Sequence, residues 1–202
     1  MNAHVVLGAL LFACAAIAGL VLAAAICARV KAYDDGPQTG TPPVVGLVAG
    51  AALIGGIAGA HVDTTHLGIT ALVAGAFVAA WYCDVARGVV PDAFTIGPLA
   101  IFAALALVWH DPRAIVHAGI VFVPFALAAT LSKGRGMGWG DAKLAAVAGA
   151  LLGASGALLA CAMAAFGAAI GAKFRPAGTP RPLAFAPYII GACAMFLAWN
   201  VQ

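Results

Sequence analysis

Charge is what this chain has least of. Only 8% of its 202 residues are charged, where a soluble domain carries about 25%. Mean hydropathy is +1.07, which excludes an ordinary soluble enzyme and points to a polytopic membrane protein. Glutamate is missing, so all seven acidic residues are aspartates. The five cysteines (Cys14, Cys27, Cys83, Cys161, Cys193) contain no C-x-x-C pair, which removes a zinc ribbon and shows no disulfide framework. Most lie in apolar runs, where cysteine acts as a small hydrophobe. A net charge of +3 is too small to imply a nucleic-acid partner. The amino terminus lacks a basic n-region, and the apolar run from Val5 to Val30 is long enough to span. It is expected to stay as a membrane helix rather than serve as a cleaved signal.

What is present is a series of apolar runs. The first, Val5 to Arg29, ends in the polar loop "KAYDDGPQTGTPP", whose Pro and Gly suit an exposed connection. The second, Val44 to Ala60, carries Gly46, Gly50, Gly55 and Gly59, small residues that let helix backbones approach closely in lipid. Run three covers Gly68 to Cys83, run four Ala93 to Trp109, and run five Ile115 to Leu131. After Asp141 the apolar sequence continues to Ala172, too long for one ordinary crossing. "GASG" at Gly153 to Gly156 offers a break, leaving a short sixth helix and a full seventh. The last run is Pro187 to Trp199. The expected fold is therefore all-α, a membrane helix bundle of about eight apolar segments.

Lysine and arginine concentrate in cytoplasmic loops. With eight segments, Arg29, Lys31, Arg87, Lys133, Arg135, Lys143, Lys173, Arg175 and Arg181 share one side, and only Arg113 falls on the other. A single crossing over 142–172 would spoil that bias. Asp84, which ends run three, and Asp141, which begins run six, both come out on the cytoplasmic side.

Ionisable side chains at the edge of spanning helices are rare and usually mark function. Two carboxylates that approach closely share a proton. One then acts as general base on water while the protonated one polarises a carbonyl, the logic of aspartic proteases. Around Asp141, Gly134, Gly136, Gly138 and Gly140 alternate. A glycine-lined loop leaves room for an extended substrate. The plainer reading is a flexible loop whose aspartate caps the following helix.

Other polar residues have bland readings beside functional ones. His61, Asp63 and His66 are metal-ligand types, but a short polar connection at the membrane surface explains the same residues and is the favoured reading. His117 is expected to be hydrogen-bonded within the bundle. Asp92, after Pro91, is read as capping run four. Lys143 either steadies Asp141 or snorkels to headgroups, and Trp139 reads as an interfacial anchor.

"GMGWGDAKLAAVAGALLG" resembles the Gly-x-Gly-Asp signature of the type IV prepilin peptidases, including their short Tad/Flp and archaeal preflagellin relatives. The matching positions are Gly138, Gly140, Asp141 and Lys143. "DVARGVVPDAFT" resembles the family's other signature, through Asp84, Arg87, Pro91 and Asp92. "RPLAFAPYIIGA", with Pro182 and Pro187, is similar to the lead into the family's last helix. The resemblance runs from about Thr70 to Asn200.

It implies a membrane aspartic endopeptidase of the prokaryotic cytoplasmic membrane, with Asp84 and Asp141 catalytic. Gly136, Gly138, Gly140, Lys143, Arg87, Pro91 and Asp92 would shape the site. The implied substrate is a prepilin or pseudopilin with a basic leader and an apolar helix, cut on the cytoplasmic side. No metal or organic cofactor is implied for that step. The first cytoplasmic loop is short and lacks paired cysteines, so the methyltransferase activity of many relatives is not expected. Residues 1–67 read as an N-terminal pair of transmembrane helices and 68–202 as the peptidase core. A presenilin-like intramembrane protease and a proton- or cation-coupled small transporter stay open as alternatives.

Overall fold

The computed structural model describes residues 3–29, 43–61, 63–132, 137–174 and 184–199. Among them the secondary structure is entirely helical. Backbone groups in hydrocarbon must find partners inside their own segment, so a helix is the expected form of these alanine-rich runs. The elements are α1 (Ala3–Cys27), α2 (Val44–Gly59), α3 (Thr64–Arg87), a 3₁₀ turn (Asp92–Phe94), α4 (Ile96–Trp109), α5 (Arg113–Leu131), α6 (Trp139–Lys173) and α7 (Ala186–Trp199). Five helical stretches are long and apolar enough to cross a membrane: α1, α3, the 3₁₀ turn with α4, α5 and α6. Two shorter apolar helices, α2 and α7, accompany them. The expected count of about eight apolar segments is not confirmed. The connector at 175–183, with Pro182, lies outside the described residues.

The chain divides into two compact units. Residues up to Phe94, with those from Ala194 onward, make the first, and Thr95–Cys193 make the second.

In the first unit, α1 packs on α2 and α3 around Phe12, Ala16, Leu20, Leu47, Ala51, Leu67, Ala71 and Val78. Lipid tails are as apolar as these side chains, so close packing has to supply the association. Glycine makes it possible. A Cβ on Gly8 would run into the Gly55 carbonyl oxygen, and one on Gly59 into the His4 carbonyl oxygen. A Cβ on Gly19 would strike the Gly75 carbonyl oxygen, and one on Gly75 would come within 2.5 Å of the Ala15 carbonyl oxygen. Of the four glycines expected to pack in α2, Gly55 and Gly59 do so. Gly50 has nothing within 4 Å, and the nearest atom to Gly46 belongs to Pro43. These contacts set α1 antiparallel to α2 and parallel to α3, so Arg29 and Arg87 follow at the same end of the unit.

A disulfide joins Cys27 to Cys83 at that end, with Cα atoms 6.0 Å apart. This corrects the expectation that the cysteines form no disulfide and that most act as small hydrophobes. That reading suits Cys161 and Cys193, which are buried thiols, whereas Cys14 is exposed.

In the second unit, α5 lies along α6. A Cβ on Gly149 would meet the His117 carbonyl oxygen at 2.8 Å and the Ala118 Cα at 3.1 Å. Helix α6 is interrupted at Gly153, which has φ 75° and ψ 164°. The break expected at "GASG" therefore falls on its first glycine. Before Gly153, Ala142 and every residue from Leu144 to Ala150 are buried, as befits a helix apolar all round.

Candidate active site

Asp84 lies in the last turn of α3, 8% exposed. It is the one charged side chain buried among the described residues; the other buried polar side chain is Thr95. A charge is expensive there, which makes Asp84 a candidate functional residue. The local sequence explains how α3 ends just beyond it. Gly88 takes the left-handed conformation (φ 68°, ψ 22°), and its N–H donates to the Asp84 carbonyl oxygen at 2.8 Å. This is the αL cap that glycine provides most cheaply. Arg87, half-buried, stands in the last turn, where a cation complements the carbonyl end of the helix.

Beyond Gly88 the chain runs through buried Val90 and Pro91 into the 3₁₀ turn. The Phe94 N–H donates to the Pro91 carbonyl oxygen at 3.0 Å. Asp92 opens this turn and is exposed. The residue in the cap position of α4 is Thr95, because one turn of 3₁₀ helix intervenes.

Asp141 is the third residue of α6, with Gly138 in the cap position. The Gly138 N–H donates to the Asp141 Oδ2 at 3.3 Å, so the carboxylate turns back over the start of its own helix. The helix N-terminus carries free N–H groups and a positive dipole end, both suited to an anionic side chain. The capping expected of Asp141 is thus present, directed at the residue before the helix. Gly140 and Lys143 are half-buried beside it, and Gly138 is exposed. The Trp139 ring lies 6.5 Å from that of Phe122 on α5. Gly134 and Gly136 lie outside the described residues.

The second unit thus brings together Gly138, Gly140, Asp141 and Lys143, and the first brings together Asp84, Arg87, Pro91 and Asp92. His61, Asp63 and His66 belong to neither group. Asp63 caps α3, accepting from the His66 N–H at 2.8 Å, and its Oδ2 lies 2.7 Å from the His66 Nδ1. Among the described residues no three His, Cys, Asp or Glu side chains gather as ligands for a metal. Thr95, fully buried, was missed by sequence reasoning. The signal was a hydroxyl directly before an apolar run, which marks a helix start.

Residues 70–173 match the family model described as the type IV leader peptidase family, 104 of the chain's 202 residues. The chain belongs to the type IV leader peptidase family. It is a membrane peptidase, with apolar helices long enough to span. No curated protein and no solved structure matches it. The matched stretch starts within α3 and closes with α6, so it takes in both Asp84 and Asp141 and leaves out α1, α2 and α7.

Proposed function

We propose that this leader peptidase is an aspartic endopeptidase whose two working carboxylates are Asp84 and Asp141. The observation that carries the reading is the burial of Asp84. It is the buried charge of the described residues, and it lies in the family's matched stretch together with Asp141. A carboxylate is kept in such a place when chemistry requires it.

In the proposed reaction the two carboxyls share one proton. The ionised one takes a proton from water as the water oxygen adds to the scissile carbonyl carbon. The protonated one donates to the carbonyl oxygen, giving a neutral gem-diol. Collapse breaks the C–N bond, the leaving nitrogen takes a proton, and the pair returns to its starting state. Each carboxyl gives and takes one proton in a turnover.

The substrate would be a prepilin-like protein with a short basic leader and an apolar helix, cut at the cytoplasmic face of the prokaryotic inner membrane. Two features support that face. Arg29 and Arg87 follow at one end of the first unit, as the positive-inside bias requires, and Asp84 lies at that same end. Asp84, Asp92 and Asp141 would supply the negative field that draws a basic leader. Residues 1–67 would support a peptidase core at 68–202, and the product's new amino terminus would leave unmethylated.

Asp84→Asn and Asp141→Asn, made separately and assayed in proteoliposomes with a prepilin, each abolish leader removal. The two act as a unit, so either loss is nearly complete. Asp92→Asn leaves turnover within a few-fold of the parent. Substantial cleavage in either of the first two variants sinks the dyad. Complete loss in the third means that the wrong carboxylate was chosen.

A further inference from the structure

We propose that Gly153 is a positioning residue of this peptidase. The bend that its backbone admits lets the two arms of α6 dock on different helices, and so fixes where the arm that carries Asp141 points. The proposal rests on the catalytic reading of Asp141 and extends it to a residue well away from the chemistry.

The bend is a matter of dihedrals and not of room. At φ 75° and ψ 164°, Gly153 occupies a backbone region essentially closed to residues that carry a Cβ. Yet a Cβ built there would find ordinary van der Waals space. Its nearest neighbours would be the His117 Nδ1 at 3.6 Å and Cε1 at 3.8 Å. An alanine would therefore fit beside α5 but not on this backbone. Within α6, Gly153 alone departs from helical dihedrals, so the change of direction is concentrated in one residue, the kind of site where helices kink.

Each arm is held by glycine contacts of its own. Before the bend, a Cβ on Gly149 would meet the His117 carbonyl oxygen at 2.8 Å, the Val121 Cγ2 at 3.0 Å and the Ala118 Cα at 3.1 Å. The first arm thus lies backbone-close on α5. After the bend, a Cβ on Gly171 would run into the Tyr188 hydroxyl, and one on Gly167 would come 3.3 Å from the Tyr188 Cδ1. The second arm is thus seated under a side chain of α7. Missing side chains are what permit such close approach in lipid. Restoring helical dihedrals at residue 153 would turn one arm against the other. Both could not then keep their seats.

The consequence falls on Asp141. It stands twelve residues up the first arm, roughly 18 Å from the bend at 1.5 Å per residue. A change of about 5° at Gly153 would swing Asp141 by about 1.6 Å over that length. A displacement of about 1 Å in a catalytic group can lower a rate about a hundredfold. The aim of Asp141 is therefore decided at the bend.

The test uses the full chain in proteoliposomes with a prepilin substrate. Gly153→Ala lowers kcat by about tenfold or more and leaves KM within about twofold, because the fault lies in aim and not in substrate docking. Gly119→Ala, at an exposed position of α5 with nothing within 4 Å, keeps both constants at the parental values. Independently of cleavage, spin labels carried on ketone-bearing residues at Trp139 and Phe166, one on each arm, report the bend. Their distance distribution shifts in Gly153→Ala and matches the parent in Gly119→Ala. Parental kcat in Gly153→Ala overturns the proposal, as does an unchanged distance there or an equal loss in Gly119→Ala. Should Gly153→Ala not fold, Ala154→Gly decides, since it loosens the bend without adding a side chain. It broadens the distance distribution and lowers kcat by about threefold or more, and retention of either parental value overturns the proposal. Cleavage surviving in Asp141→Asn would instead refute the catalytic reading, with the label distances unaffected.

Discussion

The Gly138 N–H donates to the Asp141 carboxylate at 3.3 Å, across the first turn of the helix that Asp141 opens. What Gly138 supplies here is a donor. Its φ of −81° is open to any residue, and a Cβ added to it would meet the Asp141 Oδ2 at 3.4 Å, an ordinary contact. Gly138→Ala should therefore keep leader cleavage within a few-fold of the parent. Gly138→Pro removes the N–H and should lower the initial rate by about tenfold or more. Equal loss in both would show that the glycine serves substrate room and not the hydrogen bond.

Gly88 makes the opposite demand, because its φ of 68° is a conformation that side chains resist. Gly88→Val should destabilise by about 1–2 kcal/mol and loosen the turn that holds Asp84. Gly88→Asn should fall between the parent and the valine variant, since asparagine visits the left-handed region more readily. Thermal unfolding in lipid nanodiscs ranks the three, and cleavage rates should follow the same order.

The glycines of α1 and α2 can be separated by the space around them. Gly8→Val and Gly55→Val each place atoms where the facing backbone already lies, and should cost about 1–3 kcal/mol or more. Gly50→Val enters open space and should leave the unfolding midpoint unchanged. A midpoint equally lowered by all three would mean that α2 presents a different face to α1.

Asp63 carries a pH dependence of known sign. The His66 N–H, and after it the His66 ring, holds its carboxyl below the ordinary value of 3.8. A group with a depressed folded pKa contributes its stabilisation above the unfolded value and loses it as pH falls through the folded one. The protection of the His66 amide, the slowing of its exchange relative to the intrinsic rate at the same pH, should therefore be high near neutral pH and fall only under acid conditions below the usual carboxylate range. Asp63→Ala should show little protection at that amide throughout, and parental protection in that variant would dismiss the cap.

The amino-acid sequence by itself determined the class of this protein and made its candidate carboxylates conspicuous. Runs of alanine, leucine and valine with so little charge have one form open to them in lipid, a helix whose backbone satisfies itself. Asp84 and Asp141 were legible because a carboxylate at the edge of such a run is conspicuous. The break at "GASG" was legible too, since the run after Asp141 was too long for one ordinary crossing.

Tertiary structure decided what composition leaves equivalent. Gly46, Gly50, Gly55 and Gly59 look alike as letters, yet of these four only Gly55 and Gly59 meet a facing backbone, because contact depends on where α1 lies and not on spacing within α2. Cys27 and Cys83 are 56 residues apart, and nothing in either neighbourhood announces the other until α1 and α3 run parallel. His117 read as one polar residue in an apolar run. Its place beside Gly153 exists only because Gly149 draws α5 and α6 into backbone contact. Local sequence sets which segments are helices and where a helix can bend. Which side chain fills the bend is a property of two helices together.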